Sequence, residues 1–414
     1  MKETDRPKQR SSAKLWTKNF IILNFVNVFY SFGFSMMMPL MALFIVYLGG
    51  DSRDVGLTAT SFAVAAIVSR FFSPLIMERV RNKSLLAAGT VLSMLIMIGL
   101  ALTPVISGVL VLRTVMGIAF GFVSALTTKL AADTLPDSRR GEGIGYFGMG
   151  NALMAALSPV YGIFAAEALG FKITFLTAAV FHLISAAGVL ALGRTDAHDP
   201  SATIPAKKET GAREPFTGKV FDKALILPMI LLVYFGFFRS SELSYLPLLA
   251  KARRIPHFSV YYLVQTAASV LSRMLIGSLY DRRGPAWVMI PGGIFALAAY
   301  FTFSVASSLP VLLLAGVFNG VVLGTLQAGL QSWAIDLVPA NKRGIASAAY
   351  FNYYDIGLAA GASVFGHVAA NYGYPLIYRL ACIPAALFLV TFVCVYFAAA
   401  RKKKTRDESG NEID

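Results

Sequence analysis

The chain has 414 residues, of which 56% are hydrophobic and only 14% are charged. Its mean hydropathy of +0.64 is far above that of a soluble globular protein, so the composition predicts an integral membrane protein. The net charge of +15 would favour nucleic-acid binding in a soluble protein, but here Lys and Arg lie in short segments between apolar runs, where they orient helices. No nucleic-acid partner is expected.

The first half of the chain contains six apolar runs that are long enough to cross a bilayer, which takes about 20 residues. A polar tail, residues 1–17, precedes the first run, which is too long for a cleaved signal sequence and is therefore expected to remain as a span. The six predicted spans lie at about 19–48, 56–77, 84–104, 108–132, 143–168 and 171–193.

A polar stretch with several Pro and charged residues, 194–222, interrupts this pattern and is predicted to be a linker. Six more spans are predicted after it, and a basic tail, residues 401–414, follows the last one. We therefore expect an all-α membrane protein with twelve transmembrane helices in two six-helix bundles, residues 18–193 and 223–400. The later spans lie at about 223–250, 259–280, 286–307, 309–335, 344–371 and 374–400.

The two halves repeat one another in sequence. A shift of 203 positions aligns polar, glycine and proline residues at the same places in both halves, and a shift of 204 continues the alignment after one slipped residue. An internal duplication with pseudo-symmetric bundles is therefore predicted. The aligned pairs include Ser69 with Ser272, Arg70 with Arg273, Gly117 with Gly320, Gly121 with Gly324, Asp133 with Asp336 and, after the slip, Asn151 with Asp355.

The distribution of Lys and Arg predicts the orientation of the chain in the membrane. Most basic residues outside the spans lie on the side that holds both tails and the linker, so both termini are expected in the cytoplasm. The opposite side carries only five basic residues. Three of them lie together after the seventh span, and this cluster is the exception to the enrichment of Lys and Arg on the cytoplasmic side. The five are Arg53, Lys172, Lys251, Arg253 and Arg254.

No metal, disulfide or cofactor site is expected. Cys382 and Cys394 are the only cysteines and share one apolar segment, about 18 Å apart along a helix, so they cannot pair. The four His residues are scattered singly, without the spacing of metal ligands.

A loop with small, acidic and basic residues follows the second span of each half. Together with the two six-span halves and the central linker, this loop resembles the major facilitator superfamily, and the resemblance covers nearly the whole chain. The family's motif runs Gly-x-Leu-x-Asp-Arg-x-Gly-Arg-Arg, and the second copy here retains its Gly, Asp, Arg and second Gly. The first copy departs from it, with Pro74 for the Gly, Glu78 for the Asp and Arg81 for the second Gly.

The resemblance implies a bacterial cell-membrane transporter of small molecules that works as a monomer. In the family the loop latches the cytoplasmic gate, whereas the residues alone indicate a helix end with basic anchors, and the two interpretations are compatible. The expected gating motif comprises Glu78, Arg79, Gly277, Asp281, Arg282 and Gly284.

Two further elements resemble motifs of the family. Arg113, four residues before Gly117, matches an Arg-x-x-x-Gly element whose Arg is linked to proton movement, while the glycines alone indicate close helix packing. Ser158-Pro159-Val-Tyr-Gly162 is similar to the Gly-Pro-x-x-Gly element of proton-driven antiporters, with Ser158 in place of the Gly. This partial match favours export.

Asp355 is the first candidate for proton coupling. It lies about eleven residues into the eleventh span, roughly 16 Å along the helix and close to the midplane of a hydrocarbon core of about 30 Å. An ionised carboxylate is costly there, so the position suits a group that takes up and releases a proton. Its repeat counterpart, Asn151, does not titrate. Arg70 and Arg273, near the ends of their spans, are expected to reach the interface with their long side chains.

Arg239 and Glu242 lie three residues apart on one face of the seventh span. They are expected either to neutralise each other structurally, or to bind a zwitterionic substrate, with Glu242 as a second proton site. Arg379, at the start of the last span, is expected at the interface or in contact with substrate. Four aromatic residues are candidates for a central cavity, although such residues more often form core: Tyr30, Phe34, Tyr350 and Tyr354.

The sequence therefore favours a proton-coupled transporter that exports small amphipathic molecules by alternating access. The alternative is a dedicated exporter of a zwitterionic metabolite, such as an opine-type metallophore or an amino-acid derivative, because buried cations suit a carboxylate-bearing substrate. An enzyme is not expected, since no nucleotide-binding, metal or nucleophile motif is present.

Overall fold

The computed structural model describes residues 15–136, 139–193, 223–339 and 343–410. Nearly all of these residues are helical, and no β-strand occurs among them. The predicted linker, 194–222, lies outside the described residues. We refer to residues 15–193 as the first half and to residues 223–410 as the second half.

The helices of the first half follow the predicted spans closely. The first span is made of two helices that meet at Met36, and the fifth and sixth spans form one long helix with a break at Gly170. Gly170 has φ 80°, a left-handed conformation that glycine adopts without a Cβ clash. The helices are α1 (Lys18–Ser35), α2 (Met37–Tyr47), α3 (Ser52–Arg79), α4 (Asn82–Leu102), α5 (Ile106–Asp133) and α6 (Arg140–Ala191).

The second half repeats this order of spans with breaks at different places. The span after the linker is one continuous helix, Ile226–Ala252, and the last two spans are separate helices on either side of Gly373. The tenth span is divided by a five-residue π-helical segment, Leu323–Gln327, whereas the corresponding α5 is continuous. The last helix continues to Gly410, beyond the predicted end at 400, because Lys and Arg favour a helix near its C-terminus. The helices are α7 (Ile226–Ala252), α8 (Val260–Arg283), α9 (Ala286–Val305), α10 (Leu309–Val322), α11 (Ala328–Asp336), α12 (Arg343–Tyr372) and α13 (Tyr374–Gly410).

Nine helical stretches in the described part of the chain are long and apolar enough to cross a bilayer, and one of them contains the break at Gly170. A shorter apolar stretch, Val260–Ile276, lies in α8. The predicted all-helical membrane architecture is therefore confirmed, while the count of twelve crossings stays a prediction.

The internal duplication extends to helix packing. A Cβ placed on Gly117 of α5 would lie 2.3 Å from the carbonyl oxygen of Phe62 in α3, and one on Gly320 of α10 would lie 2.3 Å from that of Gln265 in α8. Both glycines and both carbonyls are related by the shift of 203 residues. Only glycine permits this approach, so each half uses the same small-residue contact to bring its second and fourth predicted spans together.

The connections between helices lie at two ends of the molecule. The distal face contains residues 48–51, 103–105, 170, 253–259, 306–308 and 373, and the terminal face contains residues 15–17, 80–81, 134–136, 139, 192–193, 284–285 and 337–339. Contacts between neighbouring connections support this assignment. Arg253 donates to the Ala306 carbonyl at 2.9 Å on the distal face, and Lys83 donates to the Leu190 carbonyl at 3.0 Å on the terminal face.

The two halves meet closely near the distal face, where α3 packs on α12. Ser52 donates to the Tyr374 hydroxyl at 3.1 Å, and Thr60 donates to the Ala359 carbonyl at 2.9 Å. Gly56 permits the approach, since a Cβ there would lie 2.5 Å from the carbonyl oxygen of Ala362. These contacts hold the halves together on the distal side of the charged residues described below.

Candidate functional site

A small cavity of about 60 Å³ lies between the two halves. Its walls are mostly apolar, and two charged side chains reach it, one from each half. This volume is far below the roughly 300 Å³ of a typical small-molecule site, so the cavity as described has no room for such a substrate. The lining residues include Met41, Phe62, Arg113, Ser240, Ser244 and Asp355.

Asp355 of α12 forms an ion pair with Arg70 of α3, and this pair connects the two halves. The two side chains are only 13% and 14% exposed. Arg70 also lies over the rings of Phe120 and Phe351, at 5.6 and 5.8 Å from its guanidinium carbon. The expectation that Arg70 reaches the interface is therefore wrong. A carboxylate on the facing helix is within reach, and the pair lowers the cost of burying both charges.

Arg113 of α5 is buried and reaches the same cavity. Its guanidinium carbon lies 4.6 Å from the centre of the Phe62 ring, and Nη1 is 3.5 Å from the sulfur of Met116. Its Nε has no hydrogen-bond partner among the described residues, and these place no carboxylate within salt-bridge distance of it. Arg113 thus brings a cation to the cavity wall that an aromatic face, rather than an acid, stabilises.

An aromatic cluster separates the two arginines. Phe34 stacks on Phe120 with ring centres 4.1 Å apart, and Phe62 lies 5.7 Å from both rings. Tyr30 stacks on Phe34 from the other side at 6.4 Å. The candidates Tyr30 and Phe34 are therefore one layer behind Phe62, which forms the wall itself. Sequence reasoning missed Phe62 and Phe120, although Phe120 lies directly before Gly121 in the Arg113 element.

Arg239 and Glu242 form an ion pair on α7 and are almost completely buried. Glu242 also accepts hydrogen bonds from the Tyr261 hydroxyl and the Gln265 amide of α8, both at 3.1 Å. Asn319 of α10 donates to that Tyr261 hydroxyl at 2.8 Å. The network joins α7, α8 and α10 within the second half, and neither charged residue lines the cavity. This geometry fits an ion pair that holds helices of the second half together, rather than a substrate-binding site.

Three other candidates lie away from the cavity as the described residues define it. Tyr350 is buried and donates to the carbonyl of Gln327, the last residue of the π-helical segment, at 3.0 Å. Tyr354 packs on Phe235 with ring centres 5.4 Å apart. Arg379 is exposed on α13. The structure brings none of them to the site formed by Arg70, Arg113 and Asp355.

The expected gating motif lies at the terminal face. Glu78 and Arg79 are exposed in the last turn of α3, and Arg282 is exposed in the last turn of α8. Gly284 ends α8 with φ 81°, and its N–H donates to the Tyr280 carbonyl at 2.8 Å. The side chain of Asp281 and the surroundings of Gly277 are outside the described part of the structure, so the latch stays a prediction.

The antiporter-like element packs against the junction of α1 and α2. Ser158 and Pro159 are buried within α6, and Ser158 donates to the Met154 carbonyl one turn earlier. A Cβ on Gly162 would lie 3.0 Å from the Cβ of Met36, the residue at which α1 ends. Small and proline residues in α6 therefore face the point where the first span is already interrupted, which would permit relative movement of the two helices.

Comparisons with known proteins agree with this architecture. A family model described as Major Facilitator Superfamily matches residues 23–362 and 258–413. The multi-drug resistance efflux pump PmrA of Streptococcus pneumoniae is 24% identical over 395 residues, which cover 92% of this chain and 94% of PmrA. The multidrug resistance protein MdtG of Proteus mirabilis is 24% identical over 403 residues, which cover 92% of this chain and 94% of MdtG.

A solved structure shows the same fold. The crystal structure of a POT family transporter in complex with 5-aminolevulinic acid superposes with a TM-score of 0.77, covering 92% of this chain and 96% of that one. The two sequences are 15% identical, so the likeness is evidence for the fold alone.

Proposed function

Since this chain belongs to the Major Facilitator Superfamily, we propose that it is a proton-coupled secondary transporter, rather than an enzyme, that exports small amphipathic molecules. Two bundles, 18–193 and 223–400, would rock around the central cavity, with both tails and the linker in the cytoplasm and the distal face outside. The excess of basic residues on the terminal side supports this orientation. The efflux relatives support the outward direction of transport.

The observation that carries the proposal is the ion pair between Arg70 and Asp355 at the cavity. Only ionised Asp355 attracts Arg70, so uptake of a proton would weaken the one described charge contact that joins the halves in the membrane interior. Release of the proton would restore it. A single carboxylate in this position therefore links the protonation state to the separation of the halves, as alternating access requires.

Arg113 gives this site a positive excess, since Asp355 pairs with Arg70 and the second arginine at the cavity packs on Phe62 without an acid of its own. A lipophilic cation would meet repulsion there, whereas a substrate with a carboxylate would gain an ion pair that is only weakly screened. This observation favours the second candidate, an exporter of a zwitterionic metabolite such as an amino-acid derivative or an opine-type metallophore. The buried Arg239–Glu242 pair gives that candidate no support, because it does not line the cavity.

Two experiments test the proposal. In proteoliposomes with a pH gradient, we expect substrate accumulation together with proton movement reported by an entrapped pH dye, and neither in Asp355→Asn. Substrate movement without proton movement would contradict proton coupling. Untargeted metabolite profiling of cells and medium, with the chain deleted and restored, separates the substrate classes. A changed profile of carboxylate-bearing metabolites supports the second candidate, and an unchanged profile with raised dye sensitivity supports drug export.

A further inference from the structure

A second crevice, of about 360 Å³, lies on the distal face between the two halves. It is separate from the central cavity and shares no lining residue with it. The walls are apolar and aromatic, with one cation at the rim. Its lining includes Val46, Tyr47 and Phe171 from the first half and Leu248, Lys251 and Tyr374 from the second half.

The rim of this crevice is strongly cationic on the side of the second half. Lys251 lines the crevice, and Arg254 and Arg379 are exposed near the same face. The sequence contains no Asp or Glu between residues 243 and 280, 282 and 335, or 356 and 406, so no acid of the second half neutralises them there.

The acids on the first-half side offer little compensation. Asp51 and Asp54 form the capping box of α3, where Asp51 accepts from the N–H of Arg53 at 2.7 Å and Asp54 accepts from the N–H of Asp51 at 3.0 Å. Glu167 is exposed on α6, close in sequence to the basic Lys172. The distal face therefore keeps a positive excess. Much of it comes from the basic cluster after the seventh span, which is the exception to the charge distribution of the other connections.

The backbone of the basic segment, residues 251–257, has a defined shape. Arg253 donates to the carbonyls of Ala306 at 2.9 Å and Ser304 at 3.3 Å, which fixes the end of α7 to the end of α9. Arg254 and His257 both have φ 52°, in the left-handed region that residues other than glycine seldom adopt. The backbone of Lys251, in the last turn of α7, is thus fixed at the edge of the crevice.

We propose that this crevice binds an anionic phospholipid, with the phosphate at Lys251 and an acyl chain against the apolar wall. Tyr47 is 70% exposed and Val46 is 43% exposed, so the apolar wall continues onto the outer surface at the end of α2, and Tyr is typical of the level of the lipid headgroups. A soluble anion could pair with the Lys251 ammonium group, but the apolar wall offers it no hydrogen bonds. A phospholipid could contact both the ammonium group, through its phosphate, and the apolar wall, through its acyl chain. Since the lining comes from both halves, the lipid would stabilise the state in which the distal face is closed.

Native mass spectrometry of the purified full-length protein tests this proposal with dioleoyl-phosphatidylglycerol as the anionic lipid and dioleoyl-phosphatidylcholine as the zwitterionic one. We expect the protein to retain the anionic lipid preferentially and to melt at a higher temperature in its presence. Lys251→Gln should weaken retention about fivefold, the contribution of one basic side chain near a charged lipid surface. Lys172→Gln, which removes an exposed cation of the same face outside the crevice, should change retention little.

A second variant keeps the charge and removes the space. Ala252→Trp fills the crevice beside Lys251 and should also weaken retention, while melting without lipid reports whether the variant is folded. Equal retention by wild type and Lys251→Gln would overturn the proposal, as would equal loss in Lys172→Gln. A melting shift with sn-glycerol 3-phosphate as large as that with the anionic lipid would also overturn it, because the crevice would then be a site for soluble anions.

Discussion

Replacement of Asp355 by Asn tests whether one carboxylate holds the two halves together. Asparagine keeps the shape of the side chain but removes the charge, so it represents the permanently protonated form. The prediction has two parts: the closed distal state is weakened, and uphill transport driven by protons is abolished while substrate binding is retained. Both follow from the position of Asp355 between Arg70 and the cavity.

The size of the effect follows from the burial of the pair. Removing one partner from a fully buried pair costs about 3–5 kcal/mol, whereas exposed pairs contribute about 0–1 kcal/mol. The side chains of Arg70 and Asp355 are 14% and 13% exposed, and the rings of Phe120 and Phe351 still stabilise the remaining guanidinium. We therefore expect a net loss of about 2 kcal/mol, which corresponds to a shift of roughly 30-fold toward the distal-open state.

Pulsed electron paramagnetic resonance between spin labels at Lys172 and Arg254 measures this equilibrium. Both positions are exposed at the distal face, one in each half, and both native cysteines are replaced by serine. The wild type should populate the long distance more as the pH falls, and Asp355→Asn should show that distribution at every pH. Glu167→Gln, the same chemical change on an exposed face, is the control.

Three outcomes would refute this reasoning. The first is an unchanged distance distribution in Asp355→Asn. The second is retention of uphill transport with the pH dependence of the wild type, which would move the proton site elsewhere, with Glu242 as the next candidate. The third concerns the double variant Arg70→Gln with Asp355→Asn, in which neither member of the pair is charged. It should lie closer to the wild-type distribution than Asp355→Asn does, and a distribution as open as that of Asp355→Asn, or more open, would refute the reasoning.

Other predictions concern the packing and the gate. Glu242→Gln should lower stability by about 3 kcal/mol by leaving the charge of Arg239 uncompensated, and thermal melting and transport should recover in the double glutamine variant; an inactive but folded double variant would indicate substrate contact. Asp281→Asn should slow transport while equilibrium binding stays within a few-fold, and lost binding at a normal transport rate would contradict the latch. Gly324→Ala places a Cβ 1.9 Å from the Ser272 hydroxyl and should cost about 1–3 kcal/mol by melting, whereas Gly145→Ala, with nothing within 4 Å, should cost none.

Most of the fold could be predicted because membrane spans are determined by length and apolarity, both of which are local properties. The break at Gly170 lies between the predicted spans 143–168 and 171–193, and the sequence marks it with a glycine in the short segment between Glu167 and Lys172. The junction at Met36 and the π-helical segment Leu323–Gln327 were not predicted. Both lie inside apolar stretches, so the pattern of spans does not reveal them. Pro39, whose ring cannot accommodate the carbonyl of Ser35 where α1 ends, is a local signal for the first of them.

The site was predicted only in part, for a physical reason. The depth of Asp355 follows from its place within a span, but its partner depends on how α3 packs on α12, across 285 residues of sequence. Arg70 therefore resembled an interfacial side chain until the helices were assembled. Arg239 and Glu242 show the opposite case, since their i, i+3 spacing predicts an ion pair from local geometry alone, and the pair is present.

The duplication explains why coupling is expected on one side of the molecule only. The repeat maps Arg70 to Arg273 and Asp355 to Asn151, so the positions equivalent to the ion pair hold an arginine on α8 and an amide on α6. There Asn151 accepts a hydrogen bond from Ser31 within its own half, and Arg273 is exposed. The glycine contacts that set helix spacing are kept in both halves, whereas the titratable group is present in one. Packing is thus symmetric and charge is not, which means that a single protonation event at Asp355 would loosen the contact between α3 and α12 without an equivalent change at the repeat-related positions, and would give the rocking movement a direction.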